Sequence, residues 1–400
     1  MVGRLKGRTK EFMISTKKVN EKKALIDKCK FGNVFVTDIE SPETLVKDGK
    51  LFKSYMTDES GEDVTIYKLN INEPAYVIKT GYSPLVGAYA NLQTYIRDEE
   101  VGNLICKDVD AYKRYIEDIK RDAQEKYGVS LGTSHMTLNE IEINRTFAVE
   151  SPMPEYERVF TLLMAILPTK SRLRIDTTYA NRKEGNVNVN TYYAKSGRNK
   201  SYGVEIKWYN KTQQLNSIYR IVLEKQYVRF EVKLWGSQKL KRELGSNRWD
   251  DLTDAKINEW FDRKVQEWIV SPVERWKEEQ KKTLTKLIRR YKEEDWYKWV
   301  NRCLTRVLDA EIAPKGGHKP LVLDVEELIP LINELFPNGN RRKRVKSAFR
   351  AVAAQDSRSL TKRDDLKLDE ILAKLTAKEE ITEGSPDPEK WFTKSEPIAA

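Results

Sequence analysis

Histidine and cysteine are scarce in this chain: two histidines, His135 and His318, and three widely separated cysteines, Cys29, Cys106 and Cys303. The first scarcity argues against a multi-histidine zinc site and leaves a histidine-dependent triad almost without candidates. The second fits neither a metal knuckle nor a paired disulfide framework, so reduced, mostly buried thiols are expected. No apolar run approaches the roughly 20 residues that cross a bilayer. The opening MVGRLKGRTKEFMISTKK carries charge but no apolar core of signal-peptide length. The expectation is a cytoplasmic protein without a membrane partner. An internal repeat and a glycine-rich phosphate loop are also missing, which leaves carboxylates, tyrosines and lysines to carry any chemistry.

What the chain has in excess is positive charge. Lys and Arg number 72 against 61 Asp and Glu, a net charge of +11 over 400 residues. That balance is an argument for a polyanionic partner, although a solvated lysine-rich surface gives the same number.

By composition the chain divides into a basic N-terminal region (1–60), a β-rich region (61–250), a helical region (251–313) and a basic C-terminal segment with an acidic, loosely ordered tail (314–400). In TLNEIEINRTFAV, Ile141, Ile143 and Phe147 share one parity while Glu140, Glu142 and Asn144 share the other, as in a strand with one buried face. YGVEIKWY and YVRFEVKLW repeat the pattern. The short connections between such strands predict a mainly antiparallel sheet and an α+β fold. Further on, Ser271-Pro272-Val273-Glu274 has the form of a capping box with proline at the first helical position, so a new helix is expected to start there. Trp260, Trp268, Trp276, Trp296 and Trp299 are expected mainly as helix-packing residues. PKGGHKP at 314–320 reads as a linker. A helix beyond it is opened by Arg341, Arg342, Lys343 and Arg344, four cations that oppose the helix dipole and so suit phosphate binding.

The polar parities define a candidate site. Glu205, Lys207 and Tyr209 share one face of their strand, and Arg229, Glu231 and Lys233 share one face of theirs. If these strands join the one holding Glu142, clustered carboxylates would suit a divalent cation with hard oxygen ligands, Mg²⁺ or Mn²⁺. A tyrosine beside Lys and Arg would have its pKa lowered and become a usable nucleophile. A solubility ladder of Glu and Lys on a half-exposed sheet would produce the same pattern.

At these residues a resemblance appears. The runs TYYAKSGRNKSYGVEIKWYNKTQQL and YVRFEVKLWGSQKLKREL, together with LNEIEINRTF and GYSPLVGAYAN, are similar to the phage/plasmid replication protein family. That family includes the filamentous-phage gene II nicking protein and is related to the rolling-circle initiators of small plasmids. The resemblance implies a nickase and strand transferase that holds a 5′ phosphotyrosine intermediate. Its nucleophile corresponds to Tyr209, followed by Asn210 and Lys211, and its metal-binding carboxylates correspond to Glu142 and Glu231. Lys207, Lys211 and Arg229 would then stabilise phosphate charge, and the Arg341–Arg344 cluster would bind DNA. The implied partners are plasmid or phage origin DNA, duplex and single-stranded, with a host helicase and a second copy of the chain as further candidates. Two positions depart from the family's pattern: Gln214 stands where Glu is usual, and Ala90 where His is usual. His135 is a candidate substitute ligand, and Tyr192 and Tyr193 are secondary candidates for the nucleophile. The departures keep open a non-catalytic DNA-binding replication or copy-control regulator of the same fold. An RNA-binding protein also fits the charge.

Overall fold

The computed structural model describes residues 12–14, 19–96, 104–167, 191–196, 203–290, 321–322, 325–355, 359–360 and 362–378. The expected strand RLRID, the linker 314–320, Trp296, Trp299, and the side chains of Tyr192 and Tyr193 lie outside them.

The strands are β1 (Phe12–Ile14), β2 (Leu25–Ile39), β3 (Leu51–Thr57), β4 (Asp63–Asn72), β5 (Tyr76–Thr80), β6 (Tyr89–Tyr95), β7 (Val129–Gly132), β8 (Thr137–Val149), β9 (Thr191–Ser196), β10 (Gly203–Asn210), β11 (Ile221–Leu223), β12 (Gln226–Trp235), β13 (Leu321–Val322) and β14 (Ser359–Leu360). The helices are α1 (Pro42–Lys47), α2 (Val109–Tyr127), α3 (Glu157–Ile166), α4 (Lys211–Tyr219), α5 (Ser237–Leu244), α6 (Asp254–Val265), α7 (Ser271–Arg290), α8 (Val325–Leu335), α9 (Gly339–Gln355) and α10 (Lys362–Thr376). One ten-stranded sheet in the order β3-β4-β5-β6-β2-β8-β12-β10-β9, with β7 also on β2, organises the chain. Its pairings are antiparallel, so the fold is α+β with a mainly antiparallel sheet.

Alternation decides which face is buried against helices. Ile141, Ile143 and Phe147 of β8, Val228, Phe230 and Val232 of β12, and Ile206 and Trp208 of β10 are buried in one apolar core with Phe160 of α3 and Phe261 of α6. Trp208 sits at its centre, with ring centroids 4.4 Å from Phe230 and 5.3 Å from Phe160. Arg145 shares this face of β8. Its guanidinium is accommodated by a 3.0 Å ion pair to Asp262, a hydrogen bond to the Leu375 carbonyl and the Phe261 ring, which tie α6 and α10 to the sheet.

Three expectations from sequence need correction. The sheet runs across the boundary drawn at residue 60: β2 is one of its central strands, flanked by β6 and β8, so the N-terminal region is not separate. α7 does begin at Ser271, as expected, but by continuation and not through a capping box. The helical run continues from α6 through a π-helical turn at Gln266–Val270 into α7, and Ser271 is itself helical (φ −63°, ψ −35°), donating its N–H to the Gln266 carbonyl. Pro272 lacks an N–H and its ring would strike the carbonyl four residues back, and a wider turn just before it relieves both. Finally, the acidic stretch after Asp364 is not loose as far as it is described. Leu368, Ile371 and Leu375 of α10 are fully buried in the main core, and Glu370 accepts a 2.6 Å hydrogen bond from Tyr156.

Because α10 belongs to the core, Ile371→Ala should cost ~2–5 kcal/mol of unfolding free energy, the range for emptying a large aliphatic site. Urea denaturation measures this; a loss below ~0.5 kcal/mol would mean that α10 is only loosely attached.

Candidate functional site

The opposite face of the same three strands is polar, and it too is buried. In the register, Lys233 faces Glu142, Glu231 faces Asn144, Arg229 faces Thr146 and also Tyr209, and Lys207 faces Glu231. The Tyr209 phenol donates to Glu231 Oε2 at 3.0 Å, and Lys207 Nζ donates to Glu231 Oε1 at 2.8 Å. Arg229, fully buried, donates to Thr146 Oγ1 at 2.7 Å and to the Leu104 carbonyl at 3.2 Å, and lies 3.4 Å from Asp27. Lys233 approaches Glu140 at 2.9 Å and Glu142 at 3.3 Å. Lys28 and Lys30 complete the outer edge.

Tyr209, Lys207, Arg229, Glu142 and Glu231 therefore come together on one face. So does Asp27, which sequence reasoning passed over. Carboxylate oxygens of Asp27, Glu142 and Glu231 all lie within 4.8 Å of one another. Asp27 is in place because β2 carries a bulge between Ile26 and Lys28. The signal was present in the sequence: the buried parity is even at Ile26 but odd at Cys29 and Phe31, and such a break requires an inserted residue. Three buried carboxylates at this spacing could hold a metal ion.

The site's charge is already compensated by the protein. Asp27, Glu140, Glu142, Glu205 and Glu231 face Lys28, Lys30, Lys207, Arg229 and Lys233, five carboxylates against five cations, with Lys211 close by. Burial alone would raise the Glu231 carboxyl, but Lys207, Arg229 and the phenol outweigh it and hold it at about 2. Glu142 moves the other way, raised by burial and by the neighbouring Glu231 charge. Tyr209 corrects the expectation of an acidified phenol. Only 6% exposed, it is pushed well above the usual tyrosine value, first by burial and then by Glu231, and Arg229 only partly offsets them.

The Tyr-Asn-Lys motif has a local structural role as well. Asn210 is the N-cap of α4, its side chain accepting from the Gln213 N–H at 2.9 Å. Lys211 follows as the first helical residue, fully buried, and donates to Gln214 Oε1 at 2.9 Å. Burial and the nearby Arg229 charge lower the Lys211 ammonium to about 7. The departure at 214 thus has a direct consequence, since an amide can accept from Lys211 but cannot neutralise its charge.

Ala90 stands away from the cluster. It is buried on β6 opposite Val34, five residues from Tyr95, the β6 residue level with Lys28 and Glu142. His135 is exposed in the turn before β8, its ring 6.4 Å from that of Phe35, and is not among the clustered ligands. Tyr192 and Tyr193 pair along the backbone with Trp208 and Lys207. The Arg341–Arg344 cations occupy the first turns of α9, with Arg341, Lys343 and Arg344 exposed. Among the described residues no helix is long and apolar enough to cross a membrane.

No protein-family model matches this sequence, and no curated protein matches it. The resemblance to replication proteins therefore rests on the quoted motifs, and the chemistry rests on the geometry above.

Since Lys211 is held near 7 when folded and would titrate near 10.4 when unfolded, the folded state binds fewer protons between those values and stability rises with pH across that window. Between pH 7 and 8.5 the unfolding free energy should climb by ~1.5–2 kcal/mol relative to Gln214→Glu, whose carboxylate keeps Lys211 charged. Parallel stability–pH curves for the two proteins would refute the link.

Proposed function

We propose that the protein is a metal-dependent DNA nickase and strand transferase that initiates rolling-circle replication at a plasmid or phage origin, working in the cytoplasm. The observation that carries the reading is the convergence of Tyr209, Glu231, Glu142 and Asp27 on one buried face, flanked by Lys207, Lys211 and Arg229. Tyr209 is the nucleophile. As the phenolic proton passes to solvent, the phenol oxygen bonds to the scissile phosphorus, the bond to the 3′ oxygen breaks and that oxygen takes up a proton. The 5′ phosphate stays on the phenol until the 3′ hydroxyl, losing its proton, attacks in reverse and the phenol is reprotonated. The reaction conserves the phosphoester, so rejoining needs no external energy source. Asp27, Glu142 and Glu231 would hold Mg²⁺ or Mn²⁺, which would supply positive charge to the attacked phosphate and to the forming phenolate. Lys207 and Arg229 compensate phosphate charge. The exposed cations of α9 extend the contact to flanking DNA, where a helicase or a second copy could also assemble.

The resting geometry explains why such a site would be silent without substrate. The phenolic proton is held by a carboxylate too acidic to take it, and Lys207 and Lys233 are paired to carboxylates.

A second reading is favoured by the same closed arrangement. A non-catalytic DNA-binding replication or copy-control regulator would need neither an ionised phenol nor a cation, and a charge-balanced, buried Tyr209 suits it.

A supercoiled plasmid carrying the DNA around the coding sequence separates the two readings. The nickase reading predicts open circles with wild-type protein and Mg²⁺ or Mn²⁺. Glu231→Gln, which keeps the shape and removes the charge, should slow nicking by ~100-fold or more while DNA affinity holds or rises slightly. Binding without any nicking would select the regulator.

A further inference from the structure

The polar face does not end at the carboxylate cluster. Beyond Glu140 it opens into a cavity of about 560 Å³ between β2, β6, β8 and α5, inside the ~300–1,000 Å³ range of pockets that hold small ligands. Two residues that break the strand pattern shape it. Asn33 sits in the left-handed region (φ 54°) where β2 shifts register between Phe31 and Val34. Asn139 is the extra residue where β8 shifts against β2. A Cβ on Gly32 would lie 2.7 Å from Asn139 Nδ2, so only glycine lets that amide take its position.

The lining has a distinct chemistry. Lys241 and Arg248 bring positive charge, and the cavity has no carboxylate among its described lining residues. Asn91 and Asn139 present amides, each with a donor and an acceptor group at its end. Tyr89 stands at the mouth, 62% exposed, offering an aromatic face. Cations for an anion, paired amides for the edge of a heterocycle and an exposed ring for stacking are the three elements that recognise a nucleotide. A sugar would not need the cations, and a simple anion would not need the amides or the ring.

We infer that this cavity is a nucleoside-phosphate site, with Lys241 and Arg248 on the phosphate, Asn91 and Asn139 on the base edge, and Tyr89 stacking on the base. The nucleotide is either free in solution or one residue of a single strand lying across the sheet. Asn139 is three residues along β8 from Glu142, ~10 Å by strand rise, so a strand could occupy both places. The assignment stands whether or not Tyr209 is a nucleophile.

The test is titration of the full-length protein with the four deoxynucleoside 5′-monophosphates, with inorganic phosphate, and with short mixed-sequence single-stranded oligonucleotides, followed by heteronuclear NMR or calorimetry. The probes are compared across wild type, Asn139→Ala, Lys241→Met and Gly32→Ala. At least one nucleotide probe should bind wild type, and Asn139→Ala and Lys241→Met should each weaken it about tenfold. Gly32→Ala should act through displacement of Asn139. Asn139→Ala and Lys241→Met take out polar side-chain groups at the cavity and are expected to fold; melting curves confirm it. Monophosphates that bind and compete with the oligonucleotide identify a free nucleotide as the source. Oligonucleotide binding that monophosphates do not match identifies a strand. Inorganic phosphate binding as well as every nucleotide would overturn the assignment, as would folded variants that bind all probes like wild type.

Discussion

Glu231 is the residue on which the polar face depends. It lies in the middle of β12, level with Lys207 on one side and Asn144 on the other, and is almost completely buried. A carboxylate there is tolerable only with charge and hydrogen bonds arranged around it. Lys207, Arg229 and Tyr209 provide them, and Arg229 in turn fixes Asp27 and Thr146. Around Asn144, Tyr209, Arg229 and Glu231 the sheet's second face is a packed interior made of polar groups in place of hydrocarbon, while Lys28, Lys30, Lys207 and Lys233 stay partly exposed at its outer side. That construction separates it from a solubility ladder, whose members would be solvated.

How much of this was legible in the sequence follows from period two. The alternation in β8, β10 and β12 was regular, so the α+β sheet and the shared face of Glu142, Lys207, Tyr209, Arg229 and Glu231 could be read directly. Asp27 was missed because its strand is bulged and lay in a stretch that looked too basic and too weakly periodic to be central. The π-turn before Pro272 was missed because the local motif there is equally a helix start, and only packing of Trp268, Ile269 and Val273 into the core selects continuity. The charge of α10 hid three buried aliphatic residues at helical spacing. The raised pKa of Tyr209 was invisible for a different reason. Neighbouring cations can be listed from a sequence, whereas the depth of burial that overrides them cannot.

The closed phenol bears on the functional reading. A tyrosine hydrogen-bonded to a strongly acidic carboxylate is at rest, and Lys211 beside Gln214 is lowered to about 7, far from the usual lysine value. Sites of that kind are where burial and charge are commonly set against each other for chemistry. A negatively charged strand drawn to the face would recruit the lysines now paired to the carboxylates and free those oxygens for a cation.

The most direct test is to incubate wild-type protein, Mg²⁺ or Mn²⁺ and single-stranded DNA from around the coding sequence, boil in detergent, digest, and identify the nucleotide-linked peptide by mass spectrometry. The account predicts a 5′-phosphate linked to Tyr209, and a Tyr209→Phe protein that binds the DNA but forms no adduct. A linkage at Tyr192 or Tyr193, or an adduct that persists in Tyr209→Phe, would contradict it.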